Sequence, residues 1–462
     1  MQYIEDVWLT ILNKVSLKNQ ITFMMTCDIF RSYRYKLSYD IEISFDMIKH
    51  LDYIDNFTNL VMSVDVSYNI SKKIKNLRFD DTFNKKIVRW SKNTTIFKTP
   101  KNEYCIPNTI THLTFGYSFT QDIRNKIPTT VTHLTFGYKF NRNIKNCIPD
   151  SVQYLKFGVL FNNNIKDCLP PCLKTLILGM NYTYSLTSCL PSTLTELEWP
   201  NIHNFTAGDI PASVTHLSVN QLFGHNIENI IPDTVTHLNI GPRHYIRINS
   251  PLSKSLTHVK FGNSYNQEID LCMSPLITHI EFGMAFNRPL KKSLPDSLTQ
   301  LVFGNNFNQD ITDSIPQSVT YLIFGNGFNK SIKNAIPPNL KNLVFGKNFN
   351  QDIHKCIPES LVTLIFSDSF NHKIVDCLPS PSSLKYLKFG KNFNQEIASF
   401  VKGKQYIPNS VTDLEFGESF EQYFDGCIPK SVKNLTFANY DKYIASSISK
   451  SKNINLVFTK NV

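Results

Sequence analysis

The chain lacks the features that mark membrane proteins and secreted proteins. It has no run of about 18 or more apolar residues, the length that a membrane-spanning helix needs. Its first residues, Met-Gln-Tyr-Ile-Glu-Asp, carry acidic side chains where a signal peptide carries basic ones. We therefore expect an intracellular, cytoplasmic protein that does not associate with a membrane.

The chain also lacks the short motifs of common catalytic and metal chemistry. It contains no Gly-x-Ser-x-Gly, no glycine-rich phosphate loop and no His-Glu-x-x-His sequence. None of its ten cysteines forms a Cys-x-x-Cys pair, the usual signature of a zinc site. These absences predict a protein that is not an enzyme and has no cofactor and no bound metal.

What the sequence does contain is a repeat of 21 residues, clearest in residues 315–335. In each copy a branched apolar residue opens a Val-x-x-Leu-x-Phe core, and twelve of the fifteen intervals between copies are 21 residues. A fixed period of this length is typical of a solenoid. The opening residues are Ile110, Val131, Val152, Leu173, Leu194, Val214, Val235, Leu256, Ile277, Leu298, Val319, Leu340, Leu361, Leu384, Val411 and Val432.

Each copy predicts one short strand and a turn. Leu322 and Phe324 alternate with Ile323, which indicates a strand with one face in the core. Phe328 adds to the apolar interior, and Gly325 predicts a left-handed or closely packed backbone. Because one coil cannot enclose a core alone, we expect a leucine-rich-repeat-like solenoid of about 16–17 coils, right-handed and continuous, with short parallel strands in one long sheet.

The unit closely resembles the FNIP repeat, a short relative of the leucine-rich repeat. The name-giving Phe-Asn followed by Ile or Leu recurs in register at 140–144, 286–290, 307–311 and 349–353. The resemblance extends from about residue 74 to the C-terminus, so residues 74–462 are assigned to a FNIP-repeat solenoid. Copies at Tyr182, Phe223 and Phe420 lack the asparagine.

Residues 1–73 do not fit the repeat and are assigned to a helical segment and a transition. Apolar residues at steps of three and four predict short helices between residues 4 and 30. The segment resembles an F-box through Ile4, Asp6, Val7, Ile11, Leu12, Cys27, Phe30 and Arg31. This resemblance implies an adaptor of the Skp1 type, bound by Ile4, Val7, Ile11, Leu12 and Met24. The alternative is a helical cap over the first coil.

The fixed period places equivalent residues in columns along the sheet. Histidines share one outward position on six coils, and four of these coils are consecutive. An imidazole row is suited to holding a metal or sensing pH, but no carboxylate column accompanies it, and an exposed strand ladder is the alternative. The column contains His112, His133, His216, His237, His258 and His279.

A cysteine column directly precedes the Ile-Pro or Leu-Pro of seven copies. We expect these side chains to pack inward as small apolar residues without forming disulfides, because the expected compartment is reducing. The column contains Cys105, Cys147, Cys168, Cys189, Cys356, Cys377 and Cys427.

A second outward column contains a run of apolar residues. Val302, Ile323, Val344 and Ile365 follow one another on successive coils, beside Tyr321 and Tyr386. A contiguous exposed apolar patch is typical of a protein-binding surface, and plain β-propensity is the alternative. We interpret these six residues as the partner-binding face.

The charge distribution argues against nucleic acid as the partner. Residues 1–75 hold nine basic and nine acidic side chains, so the net charge of +11 lies in the repeats. The second outward column has three lysines and three glutamates, so the sheet carries no basic stripe for phosphates.

These features favour a protein-interaction scaffold. With the F-box resemblance, they imply the substrate-recognition subunit of a Skp1–cullin–F-box type ubiquitin ligase, whose partners are a Skp1-type adaptor and an unknown protein substrate. FNIP arrays with an N-terminal F-box are familiar from amoebae and giant viruses, and for a viral chain the compartment is the host cytoplasm. The alternative is a FNIP-repeat protein-binding array with a simple N-terminal cap and no ligase coupling.

Overall fold

The computed structural model describes residues 39–44, 47, 57–62, 74–88, 104–199, 208–219, 231–241, 248, 252–269, 273–399, 404–422, 426–439 and 454–460. The expected helical segment and its adaptor-binding residues, Ile4, Val7, Ile11, Leu12 and Met24, lie outside these ranges. The chain divides into two compact units, Met1–Val214 and Thr215–Val462, and each is described by itself.

In the described residues of unit 1 there are ten strands, most of which form one parallel sheet. Strand β1 pairs with β2, β2 with β3 and β3 with β6, and β6 to β10 pair in chain order. The short β4 and β5 form a separate parallel pair. The strands are β1 (Tyr39–Ser44), β2 (Phe57–Met62), β3 (Asn76–Phe79), β4 (Ile87–Val88), β5 (Tyr104–Cys105), β6 (His112–Thr114), β7 (His133–Thr135), β8 (Tyr154–Lys156), β9 (Thr175–Ile177) and β10 (Glu196–Trp199).

Unit 2 repeats the same arrangement. Strands β11 to β19 pair in parallel in chain order, followed by β22, β23 and β24. The antiparallel pair β20–β21 lies in an insertion between two coils. The strands are β11 (His216–Val219), β12 (His237–Ile240), β13 (His258–Phe261), β14 (His279–Glu281), β15 (Gln300–Val302), β16 (Tyr321–Ile323), β17 (Asn342–Val344), β18 (Thr363–Ile365), β19 (Tyr386–Lys388), β20 (Ala398–Ser399), β21 (Lys404–Gln405), β22 (Asp413–Phe416), β23 (Asn434–Asn439) and β24 (Asn455–Lys460).

Each opening residue of the repeat lies two positions before the start of a strand. The expected parallel-strand solenoid with coils of about 21 residues is therefore confirmed within each unit. In unit 1 the sheet begins ahead of residue 74, because β1 and β2 pair in parallel with the strand of the first coil. No helix in the described ranges is long and apolar enough to cross a membrane.

Stacked aromatic rings fill much of the interior. Within one coil the rings of Phe324 and Phe328 lie 3.9 Å apart, measured between centroids. Between coils, the ring of Phe324 lies 5.5 Å from that of Phe303 and 5.7 Å from that of Phe345. Phe328 is fully buried and Phe324 is 2% exposed. Each ring therefore contacts its own coil and both neighbours, so burial is shared along the array.

Where a glycine follows the strand, as Gly325 follows β16, close packing requires it and not a left-handed backbone. A Cβ added to Gly325 would lie 2.1 Å from the carbonyl oxygen of Gly304, far inside contact distance. The left-handed conformation occurs nine residues later, at Asn334, whose φ is 57°. Asparagine and aspartate tolerate this region better than most side chains, and Asn146 and Asp167 adopt it at the equivalent positions of other coils.

The asparagine of the Phe-Asn pair connects neighbouring coils. The Oδ1 atom of Asn308 accepts a hydrogen bond from the backbone N–H of Asn329, and Asn329 accepts one from Asn350, both at 2.9 Å. The Nε2 atom of Gln351 also donates to Asn329 Oδ1, at 2.9 Å. The side-chain oxygen thus accepts a hydrogen bond from a backbone N–H of the next coil. That N–H lies outside the strand, where the sheet offers it no acceptor.

Candidate functional site

The four apolar residues of the expected partner-binding face lie in one row. The sheet register pairs Val302 with Ile323, Ile323 with Val344 and Val344 with Ile365. All four side chains point to the outer face but are half-buried, because neighbouring strands about 4.8 Å apart cover part of each side chain. We call these four residues the apolar row.

The two tyrosines of this face have different surroundings. Tyr321 lies on β16, two residues before Ile323, and is half-buried. The hydroxyl of Tyr386 donates a hydrogen bond to Glu415 Oε1 at 2.6 Å. Burial, the hydrogen bond to Glu415 and its negative charge raise the pKa of Tyr386 well above its usual range. Tyr321 therefore lies at the centre of the face, whereas Tyr386 is held in a polar cluster at its border.

An ion pair lies at each end of the apolar row. Glu281 precedes Val302 in the column and pairs with Lys260 at 2.6 Å. Lys388 follows Ile365 and pairs with Glu415 at 2.9 Å. The face is thus a short apolar strip between two neutralised charge pairs, which suits a ligand with an apolar centre and polar ends.

A second apolar surface, in unit 1, was missed by the sequence interpretation. The residues that follow the strand-ending glycines are apolar on four successive coils: Tyr117, Tyr138, Val159 and Met180. Tyr117, Tyr138 and Met180 are 44%, 38% and 55% exposed. We call these four residues the turn row. The repeat period contained the signal, because these four residues occupy equivalent positions 21 residues apart.

Two features fix the geometry of the turn row. The rings of Tyr117 and Tyr138 are stacked, with centroids 4.7 Å apart. The Nζ atom of Lys139 lies 5.5 Å from the centroid of the Tyr117 ring, within cation–π range. These contacts preorganise two aromatic side chains at the surface, and rigid aromatic side chains are typical anchors of protein interfaces.

The histidine column forms stacked ladders. In unit 2 the rings of His216, His237, His258 and His279 follow one another with centroids 4.0–4.1 Å apart. In unit 1 the rings of His112 and His133 stack at 4.1 Å. Among the described residues, no group of three or more His, Cys, Asp or Glu side chains surrounds a common point. We call the four rings of unit 2 the histidine ladder.

The ladder disfavours protonation. Burial lowers the pKa of His258 to about 4, assisted by the neighbouring imidazoles. Burial also lowers the pKa of His237 and of His279, and His216 and His279 contribute to the shift at His237. Like charges this close repel each other, so protonation of the rings of His237, His258 and His279 is disfavoured.

The cysteine column shows mixed burial. Cys105, Cys147, Cys356, Cys377 and Cys427 are buried, as expected, whereas Cys168 and Cys189 are half-buried. All seven are free thiols. Burial raises the pKa of Cys105 and of Cys377 to about 11, which leaves these thiols protonated and unreactive.

Comparison with solved structures gives several similar proteins. One is described as "CroV588 a novel circular LRR protein structure", and it shares 34% identity with this chain over 83% of this chain and 60% of its own, with a TM-score of 0.64. The chain thus spans only 60% of the length of that protein. TLR13 in its ssRNA13 complex matches at 12% identity over 92% of this chain and 74% of its own, with a TM-score of 0.46. YopM from Yersinia enterocolitica matches at 14% identity over 83% of each chain, with a TM-score of 0.35.

A search of curated proteins finds no match. The family described as FNIP Repeat matches ten overlapping stretches, which together run over residues 102–242 and 286–440. These stretches make up more than half of the chain and share the register of the coils described above. The resemblance noted from the Phe-Asn pairs is thereby confirmed, and the chain belongs to the FNIP-repeat family.

Proposed function

We propose that the protein is a protein-interaction scaffold without catalytic activity of its own. The apolar row supports this proposal most directly, because it presents Val302, Ile323, Val344 and Ile365 side by side on a regular sheet. Exposed apolar strips with polar borders are typical of protein-binding surfaces. The turn row of unit 1 offers a second surface of the same kind.

The double substitution Ile323→Lys and Ile365→Lys tests the apolar row. Lysine already occupies this column at Lys260 and Lys388, so the sheet accepts the side chain there. We expect the variant to fold and to lose most of the proteins that the parent chain captures from cells, identified by mass spectrometry. The matched control is Asn239→Lys, in the same column outside the row. Unchanged capture by the double variant would exclude the row as the binding face.

A parallel variant separates the two surfaces. Tyr117→Ser and Met180→Ser remove exposed apolar side chains without changing the buried core. We expect the partners lost in this variant to differ from those lost in the apolar-row variant if both surfaces bind proteins. If capture is the same as in the parent chain, the turn row has no part in binding.

The finer proposal is coupling to a ubiquitin ligase in the cytoplasm. It depends on the F-box resemblance of the N-terminal segment, through which Ile4, Val7, Ile11, Leu12 and Met24 would bind a Skp1-type adaptor. Helices this short are marginal alone and need a partner surface to cover their apolar side. The array would then hold the protein substrate while the N-terminal segment holds the adaptor.

Deletion of residues 1–40 distinguishes this proposal from the simple cap. We expect the full chain to bind a purified Skp1-type adaptor in a calorimetric titration, and the deleted chain to lose that binding while its repeats stay folded. A simple cap predicts the reverse: the full chain does not bind the adaptor, and the deletion unfolds the first coil. A full-length chain without affinity for the adaptor would leave only the interaction array.

We do not expect nucleic acid among the partners. The lysines of the outward column on β13 and β19 are paired with glutamates, and the third lysine, Lys156 on β8, lies between Thr135 and Ile177. The described strands therefore carry no basic stripe. Binding to DNA or RNA should therefore be weak and should not show the steep salt dependence of phosphate recognition. Submicromolar binding in a fluorescence-anisotropy titration at physiological salt would overturn this.

A further inference from the structure

Three rings of the histidine ladder share a hydrogen-bond pattern that indicates their tautomer. The Nδ1 atoms of His237, His258 and His279 lie 2.9, 2.8 and 2.7 Å from the Oγ1 atom of the preceding threonine. Each of these hydroxyls also bonds to the backbone carbonyl of the equivalent threonine one coil earlier, at 3.1–3.3 Å. A carbonyl oxygen only accepts, so the hydroxyl uses its single proton there.

The hydroxyl is then the acceptor for the imidazole. The proton of each neutral ring lies on Nδ1, and the lone pair lies on Nε2. No described residue bonds to Nε2 in the ladder. The half-buried rings of His237, His258 and His279 thus present unpaired nitrogen lone pairs in a row at the surface.

This arrangement matches the way proteins prepare histidine as a metal ligand. A ligating imidazole donates its other N–H to a fixed acceptor, which sets the tautomer and makes the ligating nitrogen more basic. Neutral imidazole is preferred by Zn²⁺, Cu²⁺ and Ni²⁺. These ligands come from coils 21 residues apart, so a short local metal-binding motif does not contain them.

The spacing of the rings permits a cation to bridge neighbours. Two nitrogens bound at about 2.1 Å to one cation lie at most about 4.2 Å apart. Adjacent rings are 4.0–4.1 Å apart and within 14° of parallel. The lone pairs of stacked rings run side by side, so the two rings of a pair must turn out of parallel to bind one cation and give up their stacking when they do.

We propose that the histidine ladder binds borderline divalent cations, the class of Cu²⁺, Ni²⁺ and Zn²⁺, with neighbouring imidazoles bridged in pairs through Nε2. Since no third protein ligand surrounds a common point in the described residues, water completes the coordination and the site is open and exchangeable. Four rings give two cations, and the His112–His133 pair in unit 1 gives a third. This binding site is independent of the interaction surfaces proposed above.

A Ni²⁺ titration by calorimetry of the full chain tests the ladder. The variant replaces His216, His237, His258 and His279 by glutamine, which the same column already carries at Gln300 on the next strand. We expect it to lose two of the Ni²⁺ ions bound by the parent chain, with an unchanged far-ultraviolet circular dichroism spectrum. The matched control, His354→Gln with His372→Gln, removes two histidines outside the column and should leave those two ions. Equal Ni²⁺ binding by parent and ladder variant overturns the proposal.

A further measurement distinguishes a built site from a chance cluster of histidines. Thr236→Val with Thr257→Val removes two hydroxyl acceptors, and Val362 already occupies the equivalent position on another coil. Loss of such supporting bonds should weaken Ni²⁺ binding by about 10-fold or more. An unchanged affinity would contradict the role of the threonines.

Discussion

At the scale of single residues, burial explains the phenylalanine of the repeat signature, and a hydrogen bond explains its asparagine. The phenylalanine of the Phe-Asn pair is buried, but the asparagine is exposed at Asn329 and Asn350. Asparagine recurs at this position because its side-chain oxygen accepts a hydrogen bond from a backbone N–H of the next coil. The sequence pattern revealed the motif but not this role, because the bond joins residues that are 21 positions apart.

The substitution Asn329→Ala tests this role. It leaves the N–H of Asn350 and the amide of Gln351 without their acceptor, and we expect a loss of about 1 kcal/mol in the free energy of unfolding. Asn329→Asp keeps an acceptor oxygen at the same place and should cost clearly less. The measurement is urea denaturation followed by circular dichroism. Equal losses in both variants would mean that the side-chain oxygen does not matter.

At the scale of elements, the 21-residue period predicted where the strands lie. Strands in segments without that period were not predicted by it. Every opening residue is followed by a strand. Apolar residues that alternate with polar ones bury one face of a strand, and that buried face fixes the register in which the strand pairs. Strands β1 and β2 lack the repeat, so their pairing with the sheet could not be read from it. The half-burial of Ile323 was also not predictable, since it depends on the neighbouring strands.

The histidine ladder makes the stability of the repeats depend on pH. The pKa values of His237, His258 and His279 are lowered in the folded chain, so the unfolded chain binds more protons below its ordinary imidazole pKa of about 6.5. The ladder's contribution is therefore complete above that pH and is lost as the pH falls from about 6.5 towards 4. We expect the urea midpoint to fall across this window.

The glutamine variant of the ladder is the control for this pH effect. It has no imidazoles at these four positions, so its urea midpoint should fall less between pH 7 and pH 4.5. The lowered carboxyl pKa values, such as those of Asp122 and Asp310, act at lower pH. Identical pH profiles for the parent chain and the variant would show that the ladder does not couple to folding.

At the scale of the molecule, each coil is stabilised by the coils on both sides. Leu435 and Phe437 on β23 are 0% and 2% exposed, with strands paired on either side. Leu456 and Phe458 on β24 are only half-buried, and β24 pairs with β23 alone among the described strands. Stability in such an array is close to a sum over neighbouring coils, so damage should stay local.

The substitution Phe324→Ala tests this locality. It removes a ring 3.9 Å from Phe328 and leaves a cavity between three coils, which should cost about 3–5 kcal/mol. Amide exchange should accelerate first in β15, β16 and β17, and only later in β22 and β23. Phe324→Leu should cost less, since Leu178 fills the equivalent place in unit 1 at 3% exposure. Phe458→Ala should also cost less, because that side chain is only half-buried. Uniform acceleration of exchange through unit 2 would show that its coils unfold as one cooperative body.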